Sequence, residues 1–301
     1  MIIPRLLTKG DKVVIVAPSG KVPQNSLDAA IKVLSSWGLE VVFAKHVYDA
    51  NNYFAGSDME RLADLQLALD DSSVAAVLCA RGGYGITRIL QQINFDSFKN
   101  NPKWVIGFSD ITAIHLSLST HNISSIHGPM GTSFSIGSNL SSINSLHELL
   151  FNGKSKITSP EPGLKGGAAI GQITGGNLSL IIDSLATPNE IHTKDKILII
   201  EEVGEKTYRI DRMFQQLLRA GKLDRLAGLA IGQFSKIDDE NVSFGESWKE
   251  VITHATNAFS YPIGFGFSVG HEAENMPIIM GGTYQFKVGA GKSILEWQNP
   301  N

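Results

Sequence analysis

The sequence predicts an α/β fold: an N-terminal α/β domain on a parallel sheet, followed by a smaller β-rich C-terminal domain. Two observations carry the prediction. Short, continuously apolar, β-branched runs alternate with helical patterns through the first half, which indicates a parallel sheet covered on both faces. Between 151 and 176 that rhythm then dissolves into NGKSKITSPEPGLKGGAAIGQITGG, where glycine, proline and serine replace it.

In chain order, VVIVA at 13–17 reads as a strand, 26–37 as a helix and LEVVFA at 39–44 as a strand. A polar helix over 58–69, the strand VAAVLCA at 74–80, a helix near 86–93 and the strand WVIGF at 104–108 follow, with a further helix after Asp110. Beyond the break, KILIIEE at 196–202 and LAGLAIGQF at 226–234 read as strands. Between them Ile210, Met213, Phe214, Leu217 and Leu218 fall at helical spacing before Gly221. The last forty residues are glycine-punctuated and strand-like. The expected domains are therefore 1–150 and 176–301, with 151–175 as a junction. No internal repeat is seen.

Composition narrows the function classes. At 301 residues, 43% hydrophobic and 18% charged, with 11 prolines, the chain is globular rather than disordered. Its 26 basic and 29 acidic residues are interspersed, for a net charge of -3, so neither nucleic acid nor a membrane surface is an expected partner. The apolar run at 13–17 is too short for a signal core or a spanning helix, and the single cysteine, Cys79, cannot make an internal disulfide. The expected compartment is the cytoplasm.

In open α/β sheets function gathers where strands end. WVIGFSDIT at 104–112 runs from an apolar strand through Ser109 into a helix, the geometry of a nucleophile elbow, although Ile111 breaks the common G-x-S-x-G pattern. Ser109 as a helix cap is the competing use. RGGYG at 81–85 follows another strand and can present N–H groups to an anion or a developing oxyanion. It matches neither the Walker nor the dinucleotide-binding pattern, and a plain tight turn is its other reading.

A serine nucleophile needs a base, and its base needs an acceptor. Among the eight histidines, His271 in FSVGHE stands in a loop able to aim its ring, and His127 in HGP is its rival. Glu201, Glu202 and Glu205 cluster in IIEEVGE, where strand alternation sends Glu201 and Glu202 to opposite faces and spacing cannot choose between them. No His-Glu-x-x-His or Cys-x-x-Cys accompanies these acids, so neither a catalytic metal nor a cofactor is expected. Cys79 reads as a buried filler.

Taken together and in order, APSG at 17–20, ARGGYG at 80–85, GFSDIT at 107–112, HGP at 127–129, GGNLSLI at 175–181, ILIIEEVGEKTYRIDRMFQQLLRAG at 197–221 and GH at 270–271 resemble the LD-carboxypeptidase family, the muramoyltetrapeptide carboxypeptidases. The resemblance spans most of the chain. It implies a Ser-His-Glu triad of Ser109, His271 and Glu201 in the cleft between an α/β domain and a β-rich one. The family pattern usually has aspartate where this chain has Glu202.

The reaction implied is acyl transfer that frees terminal D-alanine from murein tetrapeptide during wall recycling. The N–H groups of Gly83 and Asp110 are the candidate oxyanion donors, and Arg81 is the candidate for the substrate carboxylate. Members are often dimers, so a homodimer is the expectation. A second branch cleaves processed microcin C. It tends to carry a longer insertion with an aromatic platform, which the compact 133–175 region here, with Phe134 and Phe151 as its aromatics, disfavours. A non-catalytic small-molecule-binding protein of two domains is the alternative from another class.

Overall fold

The computed structural model describes residues 1–135, 139–239 and 243–299. Of the 133–175 region, 136–138 lie outside the described residues. The chain forms two compact units, one of Met1–Ser155 with Asn275–Gly281 and one of Lys156–Glu274 with Gly282–Asn301.

The first unit contains β1 (Lys12–Val16), α1 (Asp28–Ser36), β2 (Glu40–Phe43), α2 (Asp58–Asp70), β3 (Val74–Cys79), the short α3 (Ile86–Ile89) and α4 (Asp96–Asn100). It continues with β4 (Trp104–Gly107), α5 (Thr112–Thr120), β5 (Ser125–His127) and α6 (Leu140–Asn152). Every side chain of β3 and β4 is buried, as central strands of a covered parallel sheet require. Polar α2 holds its start through a capping box: Glu60 N–H donates to Ser57 Oγ while the Glu60 carboxylate accepts from Ser57 N–H. Such a cap is worth about 1 kcal/mol.

The second unit begins with β6 (Lys156–Ser159), β7 (Gly167–Asn177), α7 (Leu178–Ser184), β8 (Ile197–Val203) and α8 (Thr207–Arg219). Then come β9 (Gly228–Ser235), α9 (Trp248–Ala255) and β10 (Ile263–Gly264). Residues 275–281 belong to the first unit and carry β11 (Ile278–Met280). β12 (Thr283–Val288) and β13 (Ser293–Trp297) return to the second.

In the first unit the strand order is β11-β5-β4-β3-β1-β2, parallel throughout except that β11 runs antiparallel to β5. Because β2 and β3 lie on opposite sides of β1, the order reverses between β1 and β3. The loops leaving these two strands lie at this switch point, where ligands bind in open α/β sheets, and Gly20 N–H donates to the Gly82 carbonyl across it at 3.2 Å.

The second sheet runs β10-β9-β8-β7-β12-β13-β6. Strands β7 to β10 are parallel and β12, β13 and β6 pair antiparallel. The 151–175 stretch, expected as a junction, contains β6 and most of β7. Gly171, Gly175 and Gly176 lie in β7, so its composition disguises it.

Candidate active site

Three loops meet at the carboxyl ends of β1, β3 and β4 in the first unit, and Ser109 stands in the third. Phe108 is extended at φ -150° and ψ -171°, whereas Ser109 turns into the left-handed region at φ 63°. A short 3-10 turn over Ser109–Ile111 then leads into α5. Serine in that region costs of order 1–3 kcal/mol, a cost that surrounding structure sustains at functional sites. The turn is sharp because Ile111 packs on Gly107, where an added Cβ would lie 2.8 Å from Ile111 Cγ1. The hydroxyl caps neither the 3-10 turn nor α5 through a side-chain hydrogen bond, so the capping use of Ser109 is not observed.

The RGGYG loop lies directly against this serine. A Cβ on Gly82 would sit 3.0 Å from Ser109 Cβ and 3.2 Å from its Oγ, so only glycine lets the backbone come this close. Gly83 has φ 107°, and a Cβ there would meet the Tyr53 hydroxyl at 2.5 Å. Asp110 is buried and ties the three loops together: its Oδ2 accepts from Ser19 Oγ at 2.6 Å and from the Ile86 N–H at 3.0 Å. Arg81 donates through Nη1 to the Lys21 carbonyl at 2.9 Å.

Behind the elbow, His115 is fully enclosed. Its Nε2 lies 2.9 Å from the Gly107 carbonyl and its Nδ1 2.8 Å from Ser125 Oγ. A carbonyl can only accept, so Nε2 carries the proton and Nδ1 accepts from the hydroxyl. Burial pushes this imidazole down to about 4. His127, the rival base, is buried in β5 with its ring near Phe108 and His115. Cys79 is buried in β3, where desolvation pushes its thiol up, away from nucleophilic chemistry.

In the second unit the structure separates the three clustered acids. The β8–β9 register shifts between Ile200 and Glu202, an irregularity of the kind that re-aims a side chain. Glu201 is completely buried and its Oε2 accepts from His271 Nδ1 at 2.7 Å. Desolvation raises the Glu201 carboxyl, and the hydrogen bond from His271 opposes that rise. Glu202 faces the other way and accepts from Asn177 Nδ2, from Ser179 N–H and Oγ, and from its neighbour Val203 N–H. Glu205 pairs with Arg209 at 3.1 Å near the surface.

Ser109, Asp110, Gly83 and Arg81 thus belong to the first unit and Glu201 and His271 to the second. Sequence reasoning gave no role to Ser19 within APSG, to His115 or to Gln233; Ser19 and Gln233 reach their partners across 91 and about 40 residues, whereas His115 bonds Gly107 and Ser125 eight and ten residues away. The one cluster of ligand-type side chains among the described residues, His46, Asp49 and Glu60, has its ligand atoms within 4.8 Å of one another. His46 Nδ1 is engaged by Asp64, and Glu60 caps α2.

Residues 13–128 match the LD-carboxypeptidase N-terminal domain and residues 170–286 the LD-carboxypeptidase C-terminal domain. A Bacillus subtilis protein named "Probable murein peptide carboxypeptidase" is 35% identical over 97% of this chain and 94% of its own length. The crystal structure of muramoyltetrapeptide carboxypeptidase from Oxalobacter formigenes is similar with a TM-score of 0.88 at 29% identity, covering 96% of this chain and 99% of that one. The microcin C7 self-immunity protein, solved with aspartyl sulfamoyl adenosine, has a TM-score of 0.89 over 99% of both chains at 17% identity, a likeness of fold alone. With both domains matched in order and a relative 35% identical over nearly the whole chain, this protein belongs to the LD-carboxypeptidase family of serine-type hydrolases.

Proposed function

We propose that the chain hydrolyses the L,D-peptide bond of murein tetrapeptide and releases terminal D-alanine, with Ser109 as nucleophile, His271 as general base and Glu201 as the acid that orients it. The observation that carries these roles is the buried Glu201 carboxylate, 2.7 Å from His271 Nδ1. A carboxylate there keeps the proton on Nδ1 and presents Nε2 as the basic nitrogen. The left-handed elbow supports Ser109 as its partner in the reaction, since such a turn exposes the hydroxyl beside a helix start. The murein substrate follows the printed names of the relatives.

In this mechanism His271 Nε2 takes the Ser109 hydroxyl proton as Oγ attacks the carbonyl of the L-centre. The proton then passes to the nitrogen of the departing D-alanine as the C–N bond breaks. Water attacks the acyl-serine by the same route in reverse, His271 again taking and returning one proton, and the shortened peptide leaves with a new carboxylate. The N–H groups of Gly83 and Asp110 stabilise the oxyanion, each such donor being worth roughly a hundred- to thousandfold in rate. Arg81, anchored through one N–H on Lys21, receives the terminal carboxylate with its remaining donors.

The reading includes a cytoplasmic location and a homodimer, checked by fractionation and by analytical ultracentrifugation. No helix among the described residues is long and apolar enough to cross a membrane.

The deciding experiment is release of D-alanine from purified muramyl tetrapeptide by wild type and by Ser109→Ala of verified fold. Release by wild type that falls by several orders of magnitude in the variant is expected. Absence of release by wild type, together with cleavage of an aminoacyl-sulfamoyl adenylate, would move the substrate to the microcin class.

A further inference from the structure

His271 stands in a segment with no regular secondary structure, 265–277, between β10 and β11. A side chain there keeps a 2.7 Å bond to a buried carboxylate only if its backbone is held, because loop ordering costs roughly 1–2 kcal/mol per residue. Among the side chains that hold it is one from β9. Gln233 Nε2 donates to the Glu274 carbonyl at 2.8 Å, and Gln233 Oε1 accepts from the Glu272 N–H at 2.8 Å. Its backbone N–H donates to the Val269 carbonyl at 2.8 Å. One residue thus bonds to backbone groups before and after His271.

The packing agrees. Gly270 has φ 144°, and a Cβ on it would lie 2.9 Å from Gln233 Cβ and 3.3 Å from Glu201 Cβ. The turn before His271 is therefore pressed between the residue that clamps the loop and the residue that receives the imidazole. A side-chain amide carries a donor and an acceptor on separate atoms, so it can donate to one backbone group and accept from another at once. Glutamate has the same shape but lacks the donor, and its carboxylate would oppose the Glu274 carbonyl.

We infer that Gln233 is a positioning residue that clamps the 269–274 loop through its side-chain amide and so aligns His271 on Glu201. This rests on His271 being the general base.

The test uses the full-length enzyme with Gln233→Glu and Gln233→Ala. The low-field imidazole N–H proton signal of the His271–Glu201 bond is followed by NMR and assigned by its loss in His271→Ala. Both Gln233 variants are expected to broaden or lose the signal. Both should also lose about a hundredfold in kcat, with KM within about twofold and melting within a few degrees of wild type, since misplacing a catalytic group by about 1 Å has this effect. Retention of the signal and of kcat by either folded variant would overturn the assignment. So would an activity loss matched by loss of folded protein with the signal intact in the remainder. If wild type releases no D-alanine the carboxypeptidase reading fails, while the imidazole signal still decides whether Gln233 clamps His271.

Discussion

Glu201 and His271 are 70 residues apart in sequence, yet the Glu201 carboxylate is fully buried and bonds His271 Nδ1 at 2.7 Å. Burying a carboxylate is costly unless donors compensate, and the imidazole does so first, with the Asn177 side chain adding a smaller contribution. The pair is therefore both a structural and a chemical commitment of the second unit.

Replacing Glu201 by Gln keeps the shape but removes the charge that fixes the tautomer. Activity is expected to fall by about 10⁴, as loss of the orienting carboxylate does in serine peptidases. The effect is read from kcat with saturating muramyl tetrapeptide.

The same residue shapes stability against pH. Its folded carboxyl is raised above the ordinary value of 4.5, so the fold retains the proton to higher pH than the unfolded chain does. Its stabilising contribution is present at low pH and is lost as pH rises from the ordinary value through the raised one. Glu201→Gln should therefore gain in stability relative to wild type as pH climbs through that window. Urea titrations at a series of pH values measure it, and a pH-independent difference would contradict the prediction.

His115 has the opposite sign. Its imidazole is pushed from 6.5 down to about 4, so between those values the unfolded chain binds a proton that the fold refuses. Stability should decline as pH falls through this window and level off below it, by about 3 kcal/mol in all. His115→Phe should flatten that slope, while weakening the elbow by removing the bond to the Gly107 carbonyl.

The backbone of Ser109 stores strain, and glycine would release it. Ser109→Gly and Ser109→Ala should be equally inactive, but the glycine variant should be the more stable by about 1 kcal/mol, because alanine inherits the left-handed conformation. Thermal unfolding of the two variants side by side decides it.

Gly82→Ala tests the close approach of the RGGYG loop. Gly82 is not among the residues with positive φ, so the added methyl brings no backbone penalty of that kind, but it would press on Ser109 Cβ at 3.0 Å and Oγ at 3.2 Å. A loss of about a hundredfold in kcat with a small change in melting temperature is expected.

The sequence by itself determined the alternating strands and helices of the first unit, the strand ends that carry RGGYG and Ser109, and the family. Local signals suffice for these: periodicity makes a strand or helix wherever it occurs, and glycine clusters mark turns. β6 and the glycine-rich β7 were hidden in the stretch read as a junction because their pairing to β13, β12 and β8, rather than their composition, makes them strands.

Residue spacing could not decide which acid meets the histidine; the family resemblance pointed to Glu201, and the tertiary structure bonds Glu201 to His271. Alternation sends Glu201 and Glu202 to opposite faces, but which face holds His271 depends on the register of β8 on β9 and on a loop about 70 residues away. The same holds for Ser19, which reaches Asp110 across 91 residues, and for Gln233, which clamps Glu272 and Glu274. The local sequence does not name the partner of any of these side chains. Each role comes from a partner that only folding brings within hydrogen-bond range, because side-chain bonds act over about 3 Å whatever the separation along the chain.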